Sequence, residues 1–246
     1  MDNLKRKLKA IDMQDLFSSL LWAIIIALIF RSFAFEPFKI PSGSMIPTLQ
    51  VGDYLFASKY SYGYSRYSFP FGVPLFKGRI FFTEPKRGDI IIFKGMRDPQ
   101  TFYIKRLIGL PGDIIQMKSG VLHINGKPID RKYLGLSSQK GVYGENINFK
   151  EFLETLEKVE YTARYAVGAN LSAFPDTTDE YKVPEAHYFF MGDNRNMSID
   201  SRFDQIGIVG QDRLVGKAAF LFWTKDFDFL KFITNLDTGR AFRLVQ

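Results

Sequence analysis

Ser42-Gly43-Ser44-Met45-Ile46-Pro47-Thr48-Leu49 lies a few residues beyond an apolar segment, where the chain changes from a helical to a β-like pattern. Gly43 between two serines lets the backbone bend sharply and bring an N–H close to a ligand. Pro41 and Pro47 bracket the turn and fix φ on either side, so the hydroxyls are held. A Ser/Gly/Pro turn of this kind is often only a turn. What gives it chemistry is a base for Ser44, and the sequence offers Lys105, with a supporting loop at Gly192–Arg202.

Upstream, Leu16 to Phe30 is 15 residues without a charge, broken only by Ser18 and Ser19. At about 1.5 Å per residue that is roughly 22 Å, short of a hydrocarbon core of ~30 Å. Arg31 can snorkel to the interface and Phe33, Ala34 and Phe35 extend the apolar face, so a span ending near Phe35 is expected. Ser32-Phe33-Ala34 also fits the cleavage site of a secretory signal, but Glu36-Pro37-Phe38 follows at once and favours an uncleaved anchor. Lys5, Arg6, Lys7 and Lys9 precede the span, which puts the N-terminus in the cytoplasm and the rest outside.

Downstream of Phe38 the runs are short, β-branched and aromatic, separated by Gly, Pro and Asp: Asp53–Ala57, Arg79–Thr83, Asp89–Phe93 and Thr101–Ile108. Asn125-Gly126 between Val121–Ile124 and Lys127–Ile129 is a two-residue hairpin signal. The segment Tyr60–Phe76 is dense in Tyr and Phe with Lys59, Arg66 and Lys77, and fits a buried aromatic cluster or an interfacial belt equally well. Residues 130–186 are more polar and read as an insertion. Within them Phe149, Phe152, Leu153 and Leu156 predict a short helix over Phe149–Lys158, and Asn170–Thr178 reads as a loop. Tyr188–Met191 predicts a buried strand entering the Gly192–Arg202 loop, with a final strand pair at Ile206–Val209 and Gly216–Trp223.

The 246 residues hold no cysteine and two histidines, which excludes disulfides and thiolate metal sites and argues against a multi-histidine centre. The formal net charge of +7 fits a partner that is an anionic membrane or a nucleic acid. No nucleic-acid-binding signature accompanies it. His123 sits beside the hairpin turn and His187 before an apolar strand, neither in an arrangement that suggests a base. Lys105 lies among Phe102, Tyr103, Ile104, Leu107 and Ile108; if it points inward, burial lowers its pKa and makes it a usable base.

Ser42–Leu49, Arg87–Phe93, Tyr103–Asp113 and Gly192–Arg202, in this order behind an N-terminal anchor, resemble the conserved boxes of type I bacterial signal peptidases (leader peptidases). The resemblance implies a predominantly antiparallel β fold with one N-terminal transmembrane helix. A catalytic core at 36–113 and 188–246 would be interrupted by a smaller β domain at 114–187, behind a basic N-terminus at 1–15 and an anchor at 16–35. It implies a serine endopeptidase that removes signal peptides from secreted preproteins, with Ser44 as nucleophile and Lys105 as general base. Ser42 matches the oxyanion-hole hydroxyl and Ser198 the serine that orients the lysine. Asp193, Arg106, Asp200 and Arg202 match supporting charges, and Ile40, Pro41, Met45, Tyr103 and Ile104 match positions lining pockets for small residues. Asn196 and Met197 depart from the family, which more often has Asp and Asn there.

The partners expected are secreted preproteins and the phospholipid membrane, without nucleic acid, cofactor or metal. The chain is expected to be a monomer of the bacterial inner membrane with its catalytic part on the periplasmic side. Ser137-Ser138-Gln139-Lys140 formally matches the S-x-x-K of penicillin-binding transpeptidases, but it lies in a polar stretch with no Lys-Thr-Gly after it. A self-cleaving Ser/Lys repressor would need a DNA-binding segment, which is lacking. A non-catalytic, membrane-tethered β module that binds secreted proteins is the remaining alternative.

Overall fold

A computed structural model describes residues 13–73, 76–141, 144–168, 176–227 and 239–245. The basic residues Lys5 to Lys9 and most of the expected loop Asn170–Thr178 lie outside the described residues. The apolar segment forms one helix, α1, over Met13–Phe33. Its 21 residues reach about 31 Å at about 1.5 Å per residue, enough to cross a hydrocarbon core. Phe17, Leu20, Leu21, Trp22, Ile24 and Ile26 are all exposed on it. A helix packed on a protein core hides one face, whereas this one presents apolar side chains all round.

The body is built from antiparallel sheets. The largest has seven strands, in the order Phe35–Lys39, Tyr54–Ser58, Leu214–Trp223, Ile90–Lys94, Phe102–Gly109, His187–Met191 and Val209–Gly210. At its centre, Ile90-Ile91-Ile92-Phe93 is buried throughout. Ile90 and Ile92 join one core cluster while Ile91 and Phe93 join another. The period of two explains this: a continuous apolar run is what a strand covered on both faces needs.

The chain leaves this sheet at Gly109 and returns at His187. Between them lie a four-stranded sheet, from Ile114–Lys118, Val121–Ile124, Lys127–Pro128 and Tyr181–Lys182, and a three-stranded one. The Asn125-Gly126 hairpin forms as expected, with φ of 54° and 77°, the two positive values of a type I′ turn.

Two expectations fail. Residues expected as the helix Phe149–Lys158 belong to a strand, Asn146–Leu156, central in the three-stranded sheet between Asp130–Lys140 and Val159–Val167. The alternating side of that strand runs Phe152, Glu154, Leu156, and Glu154 is fully buried, so a polar letter interrupts the period-two signal and leaves a helical spacing by coincidence. The second is the strand expected at Ile206–Val209. Only Val209–Gly210 is extended there, and it pairs with His187 and Tyr188, while the expected strand Gly216–Trp223 forms within Leu214–Trp223 and pairs with Tyr54–Ser58 and Ile91–Phe93. The Ser137–Lys140 stretch is also strand, with Ser137 Oγ donating to Glu151 at 2.6 Å. The Tyr60–Phe76 segment divides: Tyr62 and Tyr67 are buried, Tyr60 is exposed, and Phe69 packs on Phe33 at the end of α1.

Candidate active site

Ser44 sits in a single 3₁₀ turn, Gly43–Met45, just beyond the edge strand Phe35–Lys39. Ser42 precedes that turn in extended conformation, which brings its Oγ to 3.4 Å from Ser44 Oγ. Lys105 comes from the Phe102–Gly109 strand, opposite Ile91. Its Nζ donates to Ser44 Oγ at 2.7 Å and to the Ile104 carbonyl at 3.0 Å. The lysine is buried, with no carboxylate in contact with it among the described residues. Burial brings its pKa down to about 8, against the opposing pull of the more distant Asp200 and Asp193 charges. A hydroxyl within hydrogen-bond reach of an amine that is neutral for part of the time near neutral pH is a nucleophile–base pair.

The neighbouring Arg106 is treated differently. Its Nε and Nη2 each donate to Asp193 at 2.8 Å, and its Nη1 donates to the Gly88 carbonyl at 2.8 Å. Asp193 also accepts from Thr48 Oγ1 at 2.5 Å, which ties the far end of the Ser44 turn to the same carboxylate. Asp200 accepts from the Gly192 N–H at 3.0 Å and from Arg202 Nε and Nη2 at 2.8 Å. Burial alone would raise the Asp200 pKa, but the Arg202 charge and these donors hold it below the usual carboxylate value.

Ser198 is fully buried, and its hydroxyl is not among the partners of Lys105. It packs on Gly192, where an added Cβ would overlap Ser198 Oγ and stand 2.5 Å from the Ser44 carbonyl, so only glycine fits. Ile40, Met45 and Ile104 lie in one core cluster, Tyr103 stacks on Phe93 and Pro41 is exposed. His123 and His187 each face a carbonyl two residues back, Val121 and Glu185, and take no part in the site.

Two contributions escape a reading of the sequence. Asn194 clamps the Ser44 turn: its N–H donates to the Ser44 carbonyl at 3.0 Å and its Nδ2 to the Gly43 carbonyl at 2.9 Å. Arg195 is fully buried against Glu154, Nη2 to Oε2 at 2.5 Å, and Tyr161 and Tyr165 each donate to the same carboxylate at 2.7 Å. This pins the loop that follows Met191 to the three-stranded sheet. Asn194 stood in view within the Gly192–Arg202 box; Glu154 gave no signal at all.

The signal peptidase, peptidase S26 family model matches residues 13–223. Signal peptidase I of Rickettsia typhi is 40% identical, with 89% of this chain and 86% of the relative covered. That of Rickettsia massiliae is 40% identical over 96% of this chain and 91% of its own. That of Rickettsia akari is 41% identical over 87% and 84%. A solved signal peptidase I from Enterococcus faecalis matches at 31% identity and a TM-score of 0.32, covering 55% of this chain and 97% of that one. By the family match and the extent of these relatives, the chain belongs to the signal peptidase family, peptidase S26, and is a serine endopeptidase.

Proposed function

We propose that the chain removes signal peptides from secreted preproteins after a small-x-small motif, with Ser44 as nucleophile and Lys105 as general base. The 2.7 Å contact from a buried lysine to Ser44 Oγ carries this reading. Neutral Lys105 takes the Ser44 proton as Oγ attacks the carbonyl carbon. The oxyanion is met by the Ser42 hydroxyl and the Ser44 N–H. The scissile C–N bond breaks, the amine of the mature protein leaves with the proton from Lys105, and an acyl-enzyme remains. Water, deprotonated by the same lysine, then hydrolyses the ester and restores Ser44.

Asp193, Arg106, Asp200 and Arg202 hold the turn and loop around the two reacting groups, with Ser198 packed behind them on Gly192, and Ile40, Pro41, Met45, Tyr103 and Ile104 shape the small pockets. The unit 114–187 is an insertion in a core made of 36–113 and 188–246. α1 anchors a monomer in the inner membrane with the N-terminus in the cytoplasm, because Lys5 to Lys9 precede it. The test is incubation of the full chain, in detergent, with a preprotein. A discrete shortened product from wild type and none from Ser44→Ala is expected, with both proteins unfolding at the same denaturant concentration. Binding without shortening by wild type would favour the tethered, non-catalytic module.

A further inference from the structure

A concavity of about 440 Å³ lies at the foot of α1, and neither Ser44 nor Lys105 lines it. Its walls include Arg31, Glu36, Arg66, Phe69, Lys94 and Phe102. Its charges are unequally matched. Glu36 is satisfied twice over, by Arg31 at 2.6 Å and by the buried Lys59 at 2.6 Å. Neither Arg66 nor Lys94 meets a carboxylate among the described residues: the Arg66 guanidinium lies over the Tyr67 ring, 4.6 Å from its centre. Lys94 Nζ donates to the Gln100 carbonyl at 2.7 Å and lies 3.3 Å above the Phe102 ring. Burial lowers the Lys94 pKa from its usual value, with Glu36 and Asp98 opposing it. An ammonium in this position gains from any anion that enters.

The height of the pocket is fixed as well. Arg31 is in the last turn of α1, and Phe33 at its end packs on Tyr64 and Phe69 and accepts through its carbonyl from Tyr64 O–H at 2.9 Å. A cavity tied to the end of a spanning helix sits at the level of the headgroups, where aromatic and basic side chains meet phosphate. We propose that this pocket binds the phosphate of an anionic phospholipid headgroup, with Arg66 and Lys94 as its cationic contacts. The proposal rests on the reading of α1 as a membrane anchor, not on the chemistry at Ser44.

The full chain is reconstituted in bilayer discs of phosphatidylcholine and phosphatidylglycerol, released in mild detergent, and weighed by native mass spectrometry against added phosphatidylglycerol. Wild type is expected to retain one more phosphatidylglycerol than the Arg66→Gln/Lys94→Gln chain. Loss of two surface-level cations corresponds to roughly thirtyfold weaker binding, and loss of one to roughly fivefold. Arg66 is exposed, so Arg66→Gln alone keeps the test open if the double variant fails to fold. Lys118→Gln, an exposed charge outside the pocket, is expected to bind as wild type does. Equal retention by wild type and Arg66→Gln, or an equal loss in Lys118→Gln, overturns the pocket. Displacement of the lipid by millimolar inorganic phosphate makes it a site for free anions and overturns the lipid assignment. Flotation with vesicles separates the two readings: a chain that fails to float overturns anchor and pocket together, and one that floats with equal retention overturns the pocket alone.

Discussion

The side of the site around Ser44 and the side around Asp193 each bury a cation from the same strand, and they handle it in opposite ways. Arg106 is given a bidentate carboxylate, a backbone carbonyl and the face of Tyr161 at 4.1 Å. Lys105, one residue earlier, is given a hydroxyl and a carbonyl. The fully partnered guanidinium keeps its proton at any accessible pH and acts as a strut. The ammonium without a carboxylate is costly when charged, which is the property a general base needs. Two positive residues adjacent in sequence thus differ in the chemistry open to them because of what faces them.

The harshest way to break this comparison is to give Lys105 the chemistry of its neighbour. Lys105→Arg keeps a cation but cannot release its proton, and a loss of about 10⁴-fold in kcat/KM is expected. Near-normal cleavage of a preprotein by that variant would remove Lys105 as base. Next is the loss of a carboxylate from a fully paired cation. Glu154→Leu leaves Arg195 buried and unpaired and should cost about 3–5 kcal/mol in urea unfolding, part of it recovered in Arg195→Met/Glu154→Leu. A single-variant cost below about 1 kcal/mol would mean that the pair is not a strut.

Ser42→Ala removes one of the two proposed oxyanion donors and is expected to lower kcat by about 10²–10³-fold, which single-turnover cleavage measures. An unchanged kcat would take Ser42 out of the hole. The gentlest test is a pH series on stability. Because the folded state lowers the Lys105 pKa from 10.5 to about 8, the unfolded chain binds more protons between those values, and wild-type stability gains as pH rises through that window. Lys105→Met lacks this term. Its stability advantage over wild type should be full below pH ~8 and shrink by about 3 kcal/mol by pH ~10.5. The same ionisation predicts that kcat/KM rises with pH to a plateau above about 8.

The two groups proposed to react were legible because each needs a local sequence context. A glycine between serines marks the Ser44 turn, and a lysine inside an apolar run marks burial. The sheet's centre was legible for a similar reason, since four consecutive apolar β-formers at Ile90–Phe93 have few other uses. What holds the site together is non-local. Glu154 and Arg195 are 41 residues apart and each looks like a solvated charge until the strands pair. The same buried glutamate disguised the strand Asn146–Leu156 as a helix, so one hidden ion pair accounts for both the missed support and the wrong element. Asn194 works mainly through backbone groups of the Ser44 turn, and contacts of that kind leave no trace in composition.

Only Ala34 separates the last residue of α1 from the first residue of the edge strand, and Arg31 and Lys59 lock that junction through Glu36. The anchor therefore has no slack with which to swing the body above it. If the substrate's own helix lies in the same bilayer, such a junction would act as a ruler: the distance from the end of α1 to the Ser44 turn is built into the chain, and the bond presented to Ser44 would be set by counting from the membrane as well as by side-chain fit.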